Sequence, residues 1–122
     1  MKKTTKKYDL TLIVLSYNTQ FWLKKTLETL KEFYLDKSKY NIKTIVVDNG
    51  STDGSIEFVK KNMKWVELIE TGENLGFAGG NNVALKKIES RYAMLLNSDL
   101  EFRDDSNLDI LIEHMDKHPE AG

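Results

Sequence analysis

Apolar residues in this chain follow two alternating rhythms. Four short, mainly apolar runs, at 10–15 (LTLIVL), 42–47 (IKTIVV), 65–69 (WVELI) and 92–96 (YAMLL), are rich in β-branched residues. Runs of that length and kind predict strands buried on both faces of a sheet. After each run the spacing changes to three and four. Leu23, Leu27, Leu30 and Tyr34 form one helical stripe, and Ile56, Val59 and Met63 a second. Val83, Ala84 and Ile88 form a third, and Leu108, Leu111, Ile112 and Met115 a fourth that Ser106 is placed to cap. Strand–helix alternation of this kind predicts a mostly parallel sheet built from right-handed βαβ units, an α/β fold with helices on both faces. No internal repeat or low-complexity linker interrupts it, and Pro119 and Gly122 fall in a loop-like tail.

The polar residues are placed unevenly around those strands. Behind the four runs come SYN (Ser16, Tyr17, Asn18), DNGSTDGS (48–55), TGENLGFAGGNN (71–82) and NSD (Asn97, Ser98, Asp99). The opposite strand ends carry plain connectors such as SKYN and ESRY. In a parallel sheet all carboxyl ends lie on one edge, where ligands bind. Four polar clusters are therefore expected to meet at one site.

Composition narrows the classes without choosing among them. The 122 residues suit one domain, with 40% hydrophobic and 30% charged residues. Lys+Arg 18 against Asp+Glu 19 leaves a net charge of -1, with no general attraction to nucleic acid or anionic lipid. Absence of cysteine excludes disulfide and thiolate chemistry. No apolar stretch reaches the roughly 20 residues of a membrane span. The basic opening MKKTTKK makes residues 1–8 a solvated, disordered leader, and 9–122 the folded part.

Each cluster has a structural and a chemical reading. Asp48 and Asn49 either build the turn or face a base edge or ribose hydroxyl, while Asp53 is placed as a helix cap. Gly72, Gly76, Gly79 and Gly80 precede or open a helix, where backbone N–H groups and the helix dipole favour phosphate. The loop is neither the G-x-G-x-x-G fingerprint nor a Walker loop. Asp99 is a turn residue or a metal ligand. Magnesium needs only one or two carboxylates when a diphosphate supplies further oxygens. Glu101 is a weaker second ligand. His114 and His118, at i, i+4, read as surface residues, and Trp22 and Phe33 as core or rim packing.

In order and spacing, IVLSYN, IVVDNGSTDGS, ENLGFAGGNNVAL and LLNSDLEF resemble the family 2 glycosyltransferases, over nearly the whole chain. The LNSD form is closest to the rhamnosyltransferase-like branch. The resemblance implies a GT-A (Rossmann-like) three-layer αβα fold, truncated here, and an inverting transfer of sugar from a nucleoside-diphosphate sugar. It implies that Ser16, Tyr17, Asn18, Asp48 and Asn49 border the nucleoside. Asn74, Gly76, Gly80 and Asn82 would shape the diphosphate region, with Asn97 near the ribose and Asp99 holding Mg²⁺ or Mn²⁺. Donors linked to dTDP or UDP are favoured, with a glycan or lipid-linked acceptor. The implied setting is cytoplasmic, at most peripheral to the inner face of a membrane.

Three departures qualify that expectation. Asn81 stands where many relatives carry a phosphate-pairing arginine. Asn97 replaces the first acid of the D-x-D element. Ser98 replaces a frequent proline, which is expected to loosen the turn. The acceptor half and its general base are expected beyond this chain, since Asp104, Asp105 and Glu113 belong to the helix after the metal strand. The chain then reads as a donor-binding portion, inactive alone. A non-catalytic nucleotide-binding or interaction module is the alternative. A receiver domain would need acids where SYN stands, and a sugar nucleotidyltransferase an early glycine- and arginine-rich loop.

Overall fold

The computed structural model describes residues 7–103 and 107–118. Most of the expected leader, the cap Ser106, the acids Asp104 and Asp105, and the tail residues Pro119 and Gly122 lie outside the described residues. The elements alternate as the periodicity predicts: β1 Tyr8–Ser16, α1 Gln20–Leu30, β2 Ile42–Asp48, α2 Ser55–Asn62, β3 Glu67–Glu70, α3 Gly76–Leu85, β4 Ser90–Asn97 and α4 Asp109–Lys117. A π-helical turn, Lys31–Leu35, extends α1 and keeps Tyr34 in the buried stripe.

All strand pairs are parallel, in the order β3-β2-β1-β4. The chain winds outward from β1 through β2 to β3. Helix α3 then carries it back across the sheet to β4, on the other side of β1. The winding therefore reverses between β1 and β4, and at such a point the carboxyl ends leave a crevice. Register aligns those ends: Ser16 pairs with Asp48, Leu15 with Asn97, and Asp48 with Glu70.

The core has two sides. Leu10, Leu12 and Val14 of β1 and Val46 of β2 pack against Leu23, Leu27 and Leu30 of α1, Val59 of α2 and Ile112 of α4. On the other face Ile13, Ile45, Val47 and Ile69 pack against Ala84 of α3. Helices thus cover both faces in three layers. Burying a large aliphatic side chain contributes about 2 kcal/mol, so these clusters dominate the fold's stability.

Two strand expectations need correction. The third strand starts at Glu67 rather than residue 65, and Trp65 instead packs on the core from before the strand. β4 is not buried on both faces, since Ala93 and Leu95 are exposed. Helix α3 packs mainly over β1 and β2, and β4 is an edge strand. At its amino end, Arg91 ties β4 to Asp9 of β1 (2.9 Å) and to Asp116 of α4 (2.6 Å).

Candidate functional site

The loops after β1 and β2 are tied to each other. Asn18 has φ 52, a left-handed conformation that asparagine tolerates. Its N–H donates to Ser51 Oγ at 2.9 Å, and its Oδ1 accepts from the Thr52 N–H at 2.8 Å. Asp53 does more than cap one helix. Its carboxylate accepts the Ser55 N–H at the start of α2 (3.0 Å), the Ser55 hydroxyl, and the Gln20 N–H at the start of α1 (2.9 Å). Burial pushes the Asp53 carboxyl up, but the bonds from Ser55 and Gln20 outweigh it and hold it below the usual carboxylate range.

Asp48 sits at the floor of these loops, 1% exposed. Its Oδ2 accepts the Gly50 N–H (3.2 Å) and the Ser51 N–H (2.8 Å), closing the turn. Its Oδ1 is buried and has no protein donor. A buried carboxylate oxygen without a donor is costly, on the order of 1–3 kcal/mol, unless water or a ligand supplies one. Tyr17 follows Ser16, the register partner of Asp48, and is about half exposed.

Asn49 has no group to spare. Its Nδ2 donates to Asn74 Oδ1 (3.2 Å) and to the Gly76 carbonyl (3.1 Å). Its Oδ1 accepts the Leu75 N–H (3.2 Å) and the Thr71 hydroxyl (3.1 Å). Asn49 thus holds the glycine loop in shape. Gly76 (φ +78) opens α3 at an exposed position, with open space where a Cβ would stand. Gly80 is buried one turn later, where a Cβ would lie 2.5 Å from Leu15 Cδ1 and 3.1 Å from Asn49 Nδ2. Gly80 thus lets α3 lie close on β1 and Asn49. Asn82 is exposed on the same helix. Asn81 is buried, with its Nδ2 donating to the Phe77 carbonyl (3.0 Å) and its Oδ1 without a partner.

The turn after β4 is firm, contrary to the expectation that Ser98 would loosen it. The Thr26 hydroxyl of α1 lies 2.9 Å from the Ser98 carbonyl and 2.6 Å from the Leu100 carbonyl, bracketing Asp99. Ser98 Oγ also joins a hydroxyl chain through Thr19 (2.9 Å) to the buried Ser16 (3.2 Å). Hydroxyl bonds thus replace what proline's fixed ring would supply. Asn97 and Asp99 remain exposed. Together with Leu15, Thr19, Ser98, Trp22 and Phe77 they line an open cleft of about 500 Å³ at the reversal between β1 and β4.

The structure thus draws all four polar clusters to one edge. It assigns Ser16, Asn18, Asn49 and Gly80 largely to building that edge. At the opening of α3 the Leu75 and Gly76 N–H groups donate to Asn49 and Asn74 Oδ1 (3.2 and 2.9 Å), whereas Asp48 Oδ1, Asn97 and Asp99 are left without such structural tasks among the described residues. Glu101 is engaged with Lys25 at 3.4 Å. His114 and His118 lie together, exposed, with ring centroids 4.6 Å apart. Among the described residues no three His, Cys, Asp or Glu gather as a metal cluster. Trp22 and Phe77 line the cleft although the sequence points neither of them there, Trp22 reading as core or rim packing. Phe33 does pack on the core, but Trp22 belongs to no core cluster.

A parallel sheet with helices on both faces and its cleft at the strand-order reversal places the protein in the doubly wound α/β class, whose ligands bind at that point. Within that class the chain belongs to Glycosyl transferase family 2, whose family model matches residues 11–122. It is 34% identical over 96 residues to the teichoic acid poly(glycerol phosphate) polymerase of Staphylococcus epidermidis, covering 75% of this chain and 13% of that protein. It is 32% identical over 97 residues to the putative teichuronic acid biosynthesis glycosyltransferase TuaG of Bacillus subtilis, covering 77% of this chain and 37% of that one. Among solved structures it is similar to S. aureus TarS in complex with UDP, with TM-score 0.74, 26% identity, and coverage of 91% of this chain and 33% of that one. A TarS complex with UDP-GlcNAc aligns with TM-score 0.72 and 25% identity, covering 91% of this chain and 32% of that one. The chain therefore spans little more than a third, or less, of these relatives. The fold is of the GT-A type. No helix among the described residues is long and apolar enough to cross a membrane.

Proposed function

We propose that this chain is the donor-binding part of an inverting glycosyltransferase that takes a nucleoside-diphosphate sugar. The observation that carries the reading is the reversal-point edge. There a buried acceptor oxygen of Asp48, the amino end of α3 and the exposed Asp99 stand along one line of loops. In this reading Asp48 Oδ1 accepts a ring N–H of the base, beside the ring of Tyr17. The first turn of α3 after Gly76, whose own N–H is taken by Asn74, faces the diphosphate with its positive helix end, and Asn97 faces the ribose. The donor set fits Mg²⁺ or Mn²⁺: one exposed carboxylate, no thiolate or imidazole beside it, and a diphosphate to supply further oxygens. Asp99 would hold the cation. When bound, the metal offsets charge on the departing diphosphate.

The relatives' involvement in teichoic and teichuronic acid polymers supports a cell-wall or polysaccharide role, with a glycan or lipid-linked acceptor. UDP or dTDP donors, and a hexosyl or rhamnosyl product, fit the LNSD element and the UDP complexes of TarS. Acceptor-side residues and the general base would come from polypeptide outside the portion of the relatives matched here. This chain alone is then inactive, and the intact enzyme works in the cytoplasm or at the inner membrane face.

The test is calorimetric titration with UDP, dTDP and GDP, with and without Mn²⁺. At least one diphosphate is expected to bind, and Mn²⁺ to strengthen it about tenfold or more in the wild type but not in Asp99→Ala. Failure of all three to bind refutes donor binding. Equal affinity with and without Mn²⁺ removes the metal role.

A further inference from the structure

The cleft beside Asp99 has walls that the nucleotide reading leaves unused. Trp22 is 47% exposed and Phe77 61% exposed, and both line the same cleft as Asn97, Ser98 and Asp99. They come from helices on opposite faces of the sheet, Trp22 from the first turn of α1 and Phe77 from the first turn of α3. Neither belongs to a core cluster, so their exposure is not a by-product of packing nearby strands. Trp22 is also supported from behind and beside. Phe21 meets it edge-on at 5.2 Å, and Lys25 Nζ lies 5.9 Å from its ring centroid. Two large exposed aromatic side chains are expensive to leave in water, and within a concave site they mark ligand contact rather than ordinary surface.

Resting on the donor-binding reading, we infer that Trp22 and Phe77 are specificity-determining walls that receive the sugar ring of the donor. The chemistry favours a pyranose. Its C–H faces are apolar and pack on aromatic rings, while its hydroxyl rim seeks polar partners. Ser98 and Thr19 provide such partners on the same lining, leaving Asn97 to the ribose. The base has a separate place beside Tyr17 and Asp48, behind the β1 and β2 loops that Asn18 ties together. A diphosphate at Asp99 would therefore carry its sugar into the Trp22–Phe77 cleft and its base away from it.

The experiment compares two ligands on four proteins: wild type, Trp22→Ala, Phe77→Ala and Trp22→Phe. Each is titrated with the diphosphate that binds tightest above and with a matching sugar nucleotide (UDP-GlcNAc, dTDP-glucose or GDP-mannose). The wild type is expected to bind the sugar nucleotide more tightly than the diphosphate. Trp22→Ala and Phe77→Ala should each weaken the sugar nucleotide on the order of tenfold, the effect of one contact of about 1.4 kcal/mol. Both should leave the diphosphate within about twofold, and Trp22→Phe should keep most of the sugar-dependent affinity. Parallel losses for the two ligands, which base stacking or misfolding would give, overturn the inference. Unchanged binding of both ligands also overturns it. A wild type that binds no diphosphate instead refutes the donor-binding reading beneath it.

Discussion

Gly80→Ala tests the close approach on which the glycine loop depends. An added methyl would stand 2.5 Å from Leu15 Cδ1, and 3.1 and 3.2 Å from Nδ2 and Oδ1 of Asn49. Carbon–carbon contacts favour roughly 3.5–4.0 Å, so about 1 Å of space must be opened. Asn49 resists, because four hydrogen bonds fix its amide. Leu15 must give instead, at the edge of the cleft it lines. Overpacking costs about 1–3 kcal/mol, and replacing a helix-interior glycine by alanine returns up to about 1 kcal/mol. The expected net loss is about 1 kcal/mol, or a melting temperature lower by about 4 °C. Urea denaturation followed by circular dichroism measures it, with the m-value unchanged. A cycle with Leu15→Ala isolates the cause: the double variant should lose about 1 kcal/mol less than the sum of the single losses. A Gly80→Ala protein as stable as wild type, or strict additivity with Leu15→Ala, would refute the reasoning.

Asp53→Ala should lower stability by about 1 kcal/mol at pH 7, a capping-sized loss already discounted for the exposure of the carboxylate. The Asp53 carboxyl is held below its ordinary value in the fold, so its stabilisation is complete above the unfolded pKa near 4 and fades as pH falls through the folded value. Melting curves should therefore converge with wild type below about pH 4, and an equal gap at pH 7 and pH 3 would contradict this. Thr26→Val keeps shape but removes the hydroxyl shared by the Ser98 and Leu100 carbonyls. A stability loss of about 1–2 kcal/mol is expected, together with a several-fold loss of Mn²⁺-dependent diphosphate affinity. Reduced stability with intact Mn²⁺ dependence would show that the clamp does not position Asp99.

The architecture was legible because buried parallel strands write themselves as short, mainly apolar runs. Polar clusters behind every run marked the one sheet edge on which the strands' carboxyl ends align. β4 escaped this logic. YAMLL is as apolar as the inner strands, yet its outer position leaves Ala93 and Leu95 without a helix above them. A run reports hydrophobicity and not what covers it. Trp22 was assigned to packing because it adjoins the stripe of Leu23, Leu27 and Leu30. It stands one position off that stripe, about 100° around the helix, which is the signal that could have set it apart.

Which polar residues build the edge and which are left to bind is a matter of hydrogen-bond accounting, and residue type alone does not decide it. Asn49 and Asp48 are adjacent in sequence and equally buried, yet opposite in this respect. Asn49 has two donors and one acceptor oxygen, and the glycine loop consumes them all. Asp48 has two acceptor oxygens, and the turn consumes only Oδ2. Turn chemistry needs one acceptor at this position, which asparagine or serine would also provide. A second, charged oxygen at 1% exposure adds a desolvation cost and no turn bond. On the proposed reading that cost is offset when a base donates its ring N–H to Oδ1, so the choice of aspartate at position 48 follows from the ligand and not from the fold.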